Sequence, residues 1–347
     1  MQASVNFNKD TVLPSVNAGS DVLSKVQVNL NATTSDANGI TTYSWTKQAG
    51  SGDITFATAS AEDSTASADA DDAYTLRLSV TDTAGNVAYD DVVLTWDTTG
   101  PTINIGSDLL VKQLYNMNAT VTDTNGVATY TWSKQSGTGD ITFGTDSAED
   151  TTIAADADEA YVIRLTAVDS AGNSSYEEIN FTWDTTAPSV NVGSDVLSNA
   201  SYNMTAALVS DDNGIATYAW SKQSGTGDIS FGAPTAKDTS IDANNSEVYV
   251  LRLTVTDNAG NTAYDELNFE WDTVLPTVAI STPLDGAYCN ADNCDTVTVS
   301  GLCSEEGRNV TIGGSVSTTA TCTSGEWSKV IDYSAKAEGA ILSLIHI

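Results

Sequence analysis

The sequence predicts an all-β chain of tandem two-sheet sandwich domains arranged as a linear array. Three observations predict it: a long internal period, short runs of alternating apolar and polar residues, and almost no stretch with helical spacing. The period comes first. Trp45, Trp132 and Trp220 lie 87 and 88 residues apart, in the phrases YSWTKQAGSGDITF, YTWSKQSGTGDITF and YAWSKQSGTGDISF. Trp96, Trp183 and Trp271 keep that spacing inside TWDTTG, TWDTTA and EWDTVL. Asp10, Asp97, Asp184 and Asp272 each open a D-T-x-x-P segment that ends at Pro14, Pro101, Pro188 or Pro276, marking where one copy hands over to the next.

The copies therefore run over 11–98, 99–185 and 186–273, after an end of linker at 1–10. A shorter, divergent module follows at 274–340. A period of this length exceeds the roughly 20–50 residues of solenoid units that bury a face only against neighbours, and suits a small domain with its own core.

Within copy 1 strands are expected near 14–18, 26–33, 41–48, 53–57, 73–81 and 87–96, separated by Asp/Asn-Gly turns. In the stretch Tyr74 to Val80, the residues Tyr74, Leu76, Leu78 and Val80 share one face while Arg77 takes the other, and Arg164 and Arg252 repeat the placement. About seven such strands per copy read as a two-sheet sandwich. Trp45, Trp132 and Trp220 are then core residues packed between the sheets rather than a surface for stacking sugars.

Charge bounds the partners. The chain of 347 residues carries 46 acidic and 13 basic side chains, a formal net charge of −33, yet 40% of it is hydrophobic and seven residues are Trp. That composition describes folded domains with an acidic surface and excludes nucleic acid and anionic lipid as partners. No apolar run is long enough to span a bilayer, and the start Met1-Gln2-Ala3-Ser4 lacks the pattern of an export signal.

The acids recur at fixed places. In copy 2 the loop Asp123-Thr124-Asn125-Gly126 and the loop Asp169-Ser170-Ala171-Gly172-Asn173 should emerge at the end where the linker Asp97-Thr98-Thr99 enters. Asp97, Asp123, Asn125 and Asp169 would meet there, with Asp184, Asp211, Asn213 and Asp257 in copy 3 and Asp10, Asp36, Asn38 and Asp82 in copy 1. An all-oxygen set without thiolate or imidazole matches a hard cation, calcium above magnesium, and the alternative is ordinary turn chemistry. Asp53, Asp140 and Asp228 read as hairpin-shaping residues, while the directions of Asp63, Asp150 and Asp238 are not fixed by sequence.

All four cysteines, Cys289, Cys294, Cys303 and Cys322, fall in the last module. An even count in a small module indicates disulfides and an oxidising exterior, with three connectivities available. Cys289–Cys294 with Cys303–Cys322 is the expected pairing, and a zinc site is the rival. His346 is the one histidine and supports no acid/base constellation. The tail 341–347 breaks from the preceding style and reads as a truncated or foreign end.

The phrases TYSWTKQAGSGDITF, YTLRLSVTDTAGN and TWDTTGP together resemble the PKD-like and bacterial immunoglobulin-like repeats of very large surface adhesins. The resemblance covers 1–273, and SGLCSEEGRNVTI with TCTSGEWS looks like a second bacterial immunoglobulin-like type. It implies immunoglobulin-like domains acting as a non-catalytic extender outside the cell or at its surface, often with calcium near the domain junctions. The partners implied are neighbouring repeats and, through other domains, a cell-surface or polysaccharide ligand. A carbohydrate-binding or spacer module of a secreted hydrolase is the alternative. Acids that repeat copy by copy at turns do not form an enzyme's single catalytic cleft.

Overall fold

The computed structural model describes residues 9–205, 207–284, 287, 295–314, 316–334 and, for the backbone, 342–346. Among the described residues there is no helix. The first repeat contains nine strands: β1 (Ser15–Asn17), β2 (Val22–Ser24), β3 (Val28–Leu30), β4 (Thr33–Ser35), β5 (Ile40–Ala49), β6 (Ile54–Phe56), β7 (Ser64–Ala68), β8 (Asp72–Asp82) and β9 (Val87–Trp96). They form a four-stranded sheet in the order β2-β9-β8-β5, a three-stranded sheet β3-β7-β6 and the pair β1-β4. All neighbours are antiparallel except β2, which runs parallel to β9 with Val22 opposite Leu94. Repeats 2 and 3 reproduce the same three groups of strands.

The alternation of β8 produces the core. Tyr74, Leu76, Leu78 and Val80 are all fully buried, while Arg77 faces outward. Trp45 on β5 lies across from Leu78 and reaches the second sheet, where its ring stacks on Phe56 of β6 at 6.3 Å. Its indole N–H donates to the Glu62 carbonyl at 3.1 Å, so the buried ring leaves no unpaired donor. Trp132–Phe143 and Trp220–Phe231 repeat the stack at 6.2 Å. The Gly-rich phrase after each Trp strand has a steric reason. Gly50 sits at φ +111°, and a Cβ there would lie 2.3 Å from the ring of Tyr74, a clash repeated at Gly137 with Tyr161.

Two sequence expectations are corrected. The single strand expected over 26–33 is two strands, because Asn31 and Ala32 carry the chain from the partner β7 to the partner β1. The switch is pinned where Ala32 N donates to Asp63 Oδ1 at 3.0 Å. Strands β2 and β7 lie outside the expected set, so a repeat has nine strands rather than about seven. β7 reads STASA, whose small residues give no apolar alternation, and β2 has only three residues.

The chain divides into two compact units, Met1–Val190 with Val209–Thr217 and Val255–Ala263, and Asn191–Leu208 with Tyr218–Thr254 and Tyr264–Ile347. The first unit thus includes the end of repeat 3 that carries Asp211 and Asp257. In the second unit, the last module pairs 278–282 with 296–303 and 296–303 with 326–332. A second sheet there joins 309–314 to 318–321 and to 342–346. Cys303 and Cys322 form a disulfide inside its core, beside Val299, Val310, Ile312 and Trp327. The expected Cys289–Cys294 pairing lies outside the described residues.

Candidate metal centres at the repeat junctions

Two loops and a linker build each centre. In repeat 1 the first loop joins β4 to β5, and Asp36 Oδ1 folds it by accepting from the Asn38 amide at 2.8 Å, an Asx turn. The second loop joins β8 to β9, where Asp82 Oδ1 accepts from the amides of Ala84 and Asn86, both at 2.8 Å. Thr83 N donates to the Gly39 carbonyl at 3.0 Å and ties the loops together. The linker acid then completes the group.

The structure brings together Asp10, Asp36 and Asp82, then Asp97, Asp123 and Asp169, then Asp184, Asp211 and Asp257. Within each trio one carboxylate oxygen per residue lies within 4.8 Å of the others. Asn38, Asn125 and Asn213 stand at the same sites, their Nδ2 donating to Asp10, Asp97 and Asp184 at 2.7, 2.9 and 3.0 Å. All twelve residues predicted from sequence therefore sit at these three centres.

Burial makes the arrangement costly. Asp97 and Asp184 are 3% and 2% exposed, and Asp169 and Asp257 are each 1% exposed. Like charges at about 4 Å repel by roughly 1 kcal/mol even in water, and by more where solvent is excluded. Asp257 Oδ2 is buried with no hydrogen-bond partner. Burial, opposed by the Asn213 amide but reinforced by the charges of Asp211 and Asp257, holds the Asp184 carboxyl above the ordinary carboxylate pKa. Burial also works against charge on Asp82, but hydrogen bonds from Asn86 and Ala84 outweigh it and place its pKa below the ordinary value. A cleft of about 460 Å³ opens at the third centre, lined among others by Asp158, Asp184, Thr186, Asp211 and Asn213.

The donor set is hard oxygen throughout, and an orphaned buried carboxylate oxygen is a ligand atom without its counter-charge. The residues present thus fit a divalent cation of the calcium type.

A family profile of the PKD domain matches residues 18–95, 106–182 and 193–269. The chain belongs to this PKD domain family. No curated protein sequence matches the chain. Among solved structures, a tetra-tandem repeat in the extending region of a large adhesion protein is 21% identical over 94% of this chain and 92% of that one, with a TM-score of 0.37. The D00-D0 domain of intimin is 14% identical over 49% of this chain and 99% of that one, with a TM-score of 0.31. Mouse cadherin-23 EC22-24 is 15% identical over 75% of this chain and 99% of that one, with a TM-score of 0.29.

Sequence reasoning missed a second asparagine at each PKD junction. Asn173 Nδ2 donates to the Asp97 carbonyl at 2.9 Å and to Asp169 Oδ2 at 2.8 Å, so one amide holds linker and loop together. Asn261 donates to the Asp184 carbonyl at 2.9 Å, and Asn86 to Asp82 Oδ2 at 2.7 Å. The signal was present: DTAGN, DSAGN and DNAGN all end on it. A linker clamp was missed as well. Asp71 accepts from Thr98 N, Thr98 Oγ1 and Thr99 Oγ1 at 2.9, 2.8 and 2.6 Å, and Asp158 holds Thr185 and Thr186 likewise.

The remaining acids have local roles. Asp53 exchanges hydrogen bonds with Asp69 across its hairpin, and Asp140 does so with Asp156. Asp63 and Asp150 accept from the amides of Ala32 and Ala119, and Asp238 lies 3.5 Å from Lys237.

Proposed function

We propose that these PKD repeats are a non-catalytic extender segment of a larger extracellular or cell-surface adhesin, stiffened by calcium at the repeat junctions. The observation that carries the reading is the burial of a linker carboxylate, Asp97 or Asp184, against two loop carboxylates of the following repeat. The unpartnered Asp257 Oδ2 adds to it. An ion bound there takes ligands from the linker and from both loops, so its binding energy opposes bending at the junction. The folding units in this reading are 11–98, 99–185, 186–273 and 274–340, with the neighbouring repeat as each unit's first partner.

Titration of calcium into the chelated chain by calorimetry tests the reading. Saturable heat, a raised melting temperature and a larger maximum dimension in small-angle scattering are expected. Absence of heat and of any thermal shift would sink it.

A second reading, carbohydrate binding or a spacer in a secreted hydrolase, draws on Tyr89, Tyr176 and Tyr264. They occupy one position per repeat and are 58%, 61% and 58% exposed, each with an arginine over its ring at 3.6–4.0 Å. Retention on a polysaccharide column that is lost in the triple Tyr→Ala chain would favour it.

A further inference from the structure

We infer that Lys25 and Lys112 recognise the following repeat, each by placing its ammonium on a carbonyl of that repeat's D-x-A-G-N loop. Lys25 Nζ donates to the Gly172 carbonyl, and Lys112 Nζ donates to the Gly260 carbonyl. The donors occupy the same position, just after the short strand that pairs in parallel with the last strand of the repeat. The acceptors also match, for both glycines lie at φ +89° in equivalent loops.

The loop is thereby held from the preceding repeat at three points. In repeat 2 Asp169 meets linker Asp97, the Gly172 carbonyl takes Lys25, and Asn173 binds the Asp97 carbonyl. The choice of a cation has a reason in the charge. The chain has 13 basic residues against 46 acidic ones, and each junction gathers three carboxylates. An ammonium on the loop that carries one of them lowers the cost of bringing two acidic ends together, whether or not a metal is bound.

Repeat 3 supplies an internal control. Its residue at the lysine position is Asn199, and the module that follows has no D-x-A-G-N loop. Two other junction residues change with it: Ser246 stands where Asp71 and Asp158 clamp the linker, and Val274 stands where Thr99 and Thr186 are clamped. The lysine is present where its receiving loop follows and absent where it does not. The partner that this surface fits is the loop end of a like repeat.

Hydrogen exchange on the whole chain, read by mass spectrometry in chelator throughout, tests the pairing apart from any bound ion. Lys112→Met keeps the apolar stem and removes the charge. It should speed exchange severalfold in 257–261 and leave 169–173 unchanged, and Lys25→Met should do the reverse. Asn199→Lys should change nothing in the last module. In the parent chain, Lys25 and Lys112 should acetylate severalfold more slowly than the exposed Lys9. Equal acetylation of the three lysines would overturn the inference. So would unchanged exchange in both Met variants, or protection of the last module by Asn199→Lys.

Discussion

The two inner junctions and the last module secure themselves by different means. At the inner junctions Asp97 and Asp184 are buried, their threonines are clamped by Asp71 and Asp158, and Pro101 and Pro188 are buried. After repeat 3, Asp272 is only half-buried, and Val274 and Leu275 are 63% and 81% exposed. Among the described residues Asp272 belongs to no trio of carboxylates. The last module instead has a covalent bridge through its core, which the three repeats lack. The same D-T-x-x-P phrase thus produces two kinds of junction, and the residues facing the phrase decide which.

The largest effect that separates the two is covalent. Replacing Cys303 and Cys322 with Ser opens a loop of sequence separation 19, which should cost the last module about 3 kcal/mol. Thermal unfolding should show the last module melting earlier while the repeats keep their transition and their response to calcium. A shift of the repeat transition would mean that the two regions are not independent.

Next comes the ion. Asp97→Ala with Asp123→Ala should remove most of the calcium-dependent gain at the first inner junction, about 2.7 kcal/mol when the ion stands at a hundredfold its Kd. Asp272→Ala should leave that gain intact. A smaller effect tests whether the facing residues define the junction. Ser246→Asp with Val274→Thr rebuilds the linker clamp after repeat 3. It should slow amide exchange at Thr273 and its neighbours by the equivalent of about 1 kcal/mol.

Much of this was legible in the sequence because it repeats. The D-T-x-x-P phrase, the Asp-x-Asn-Gly loop and the start of the D-x-A-G-N loop recur in each copy, and the sandwich rule that alternate loops share an end suffices to bring their acids together. The buried Trp and the face of β8 followed from period-two alternation. What was not legible depended on partners distant in sequence. Asp63 pins Ala32, Asp71 clamps Thr98, and Lys25 reaches Gly172; no local pattern announces such pairs. Strands as short and small-residue-rich as β7 have no alternation to read, since their place is set by the neighbours they complete.

The smallest effect is the most diagnostic, because its sign changes with the ion. Burial and the charges of Asp211 and Asp257 raise the Asp184 pKa despite the Asn213 amide. The unfolded chain therefore releases this proton at lower pH than the folded one. Its favourable contribution is present below the unfolded pKa and is lost as pH rises through the folded pKa. At neutral pH, Asp184 charged and ion-free weakens the fold. Asp184→Asn should then raise the melting temperature of the chelated chain, by no more than about 4 °C, and flatten its dependence on pH in the acid range. Asp71 runs the other way. Hydrogen bonds from Thr99 and Thr98 exceed its slight burial penalty and lower its pKa, so its contribution is present at neutral pH and lost as pH falls through the folded pKa. Asp71→Asn should lower the melting temperature with or without the ion. In excess calcium Asp184→Asn must become destabilising, since the charge it removes is then a ligand. If the substitution stabilises the chain equally in calcium and in chelator, the third trio holds no ion.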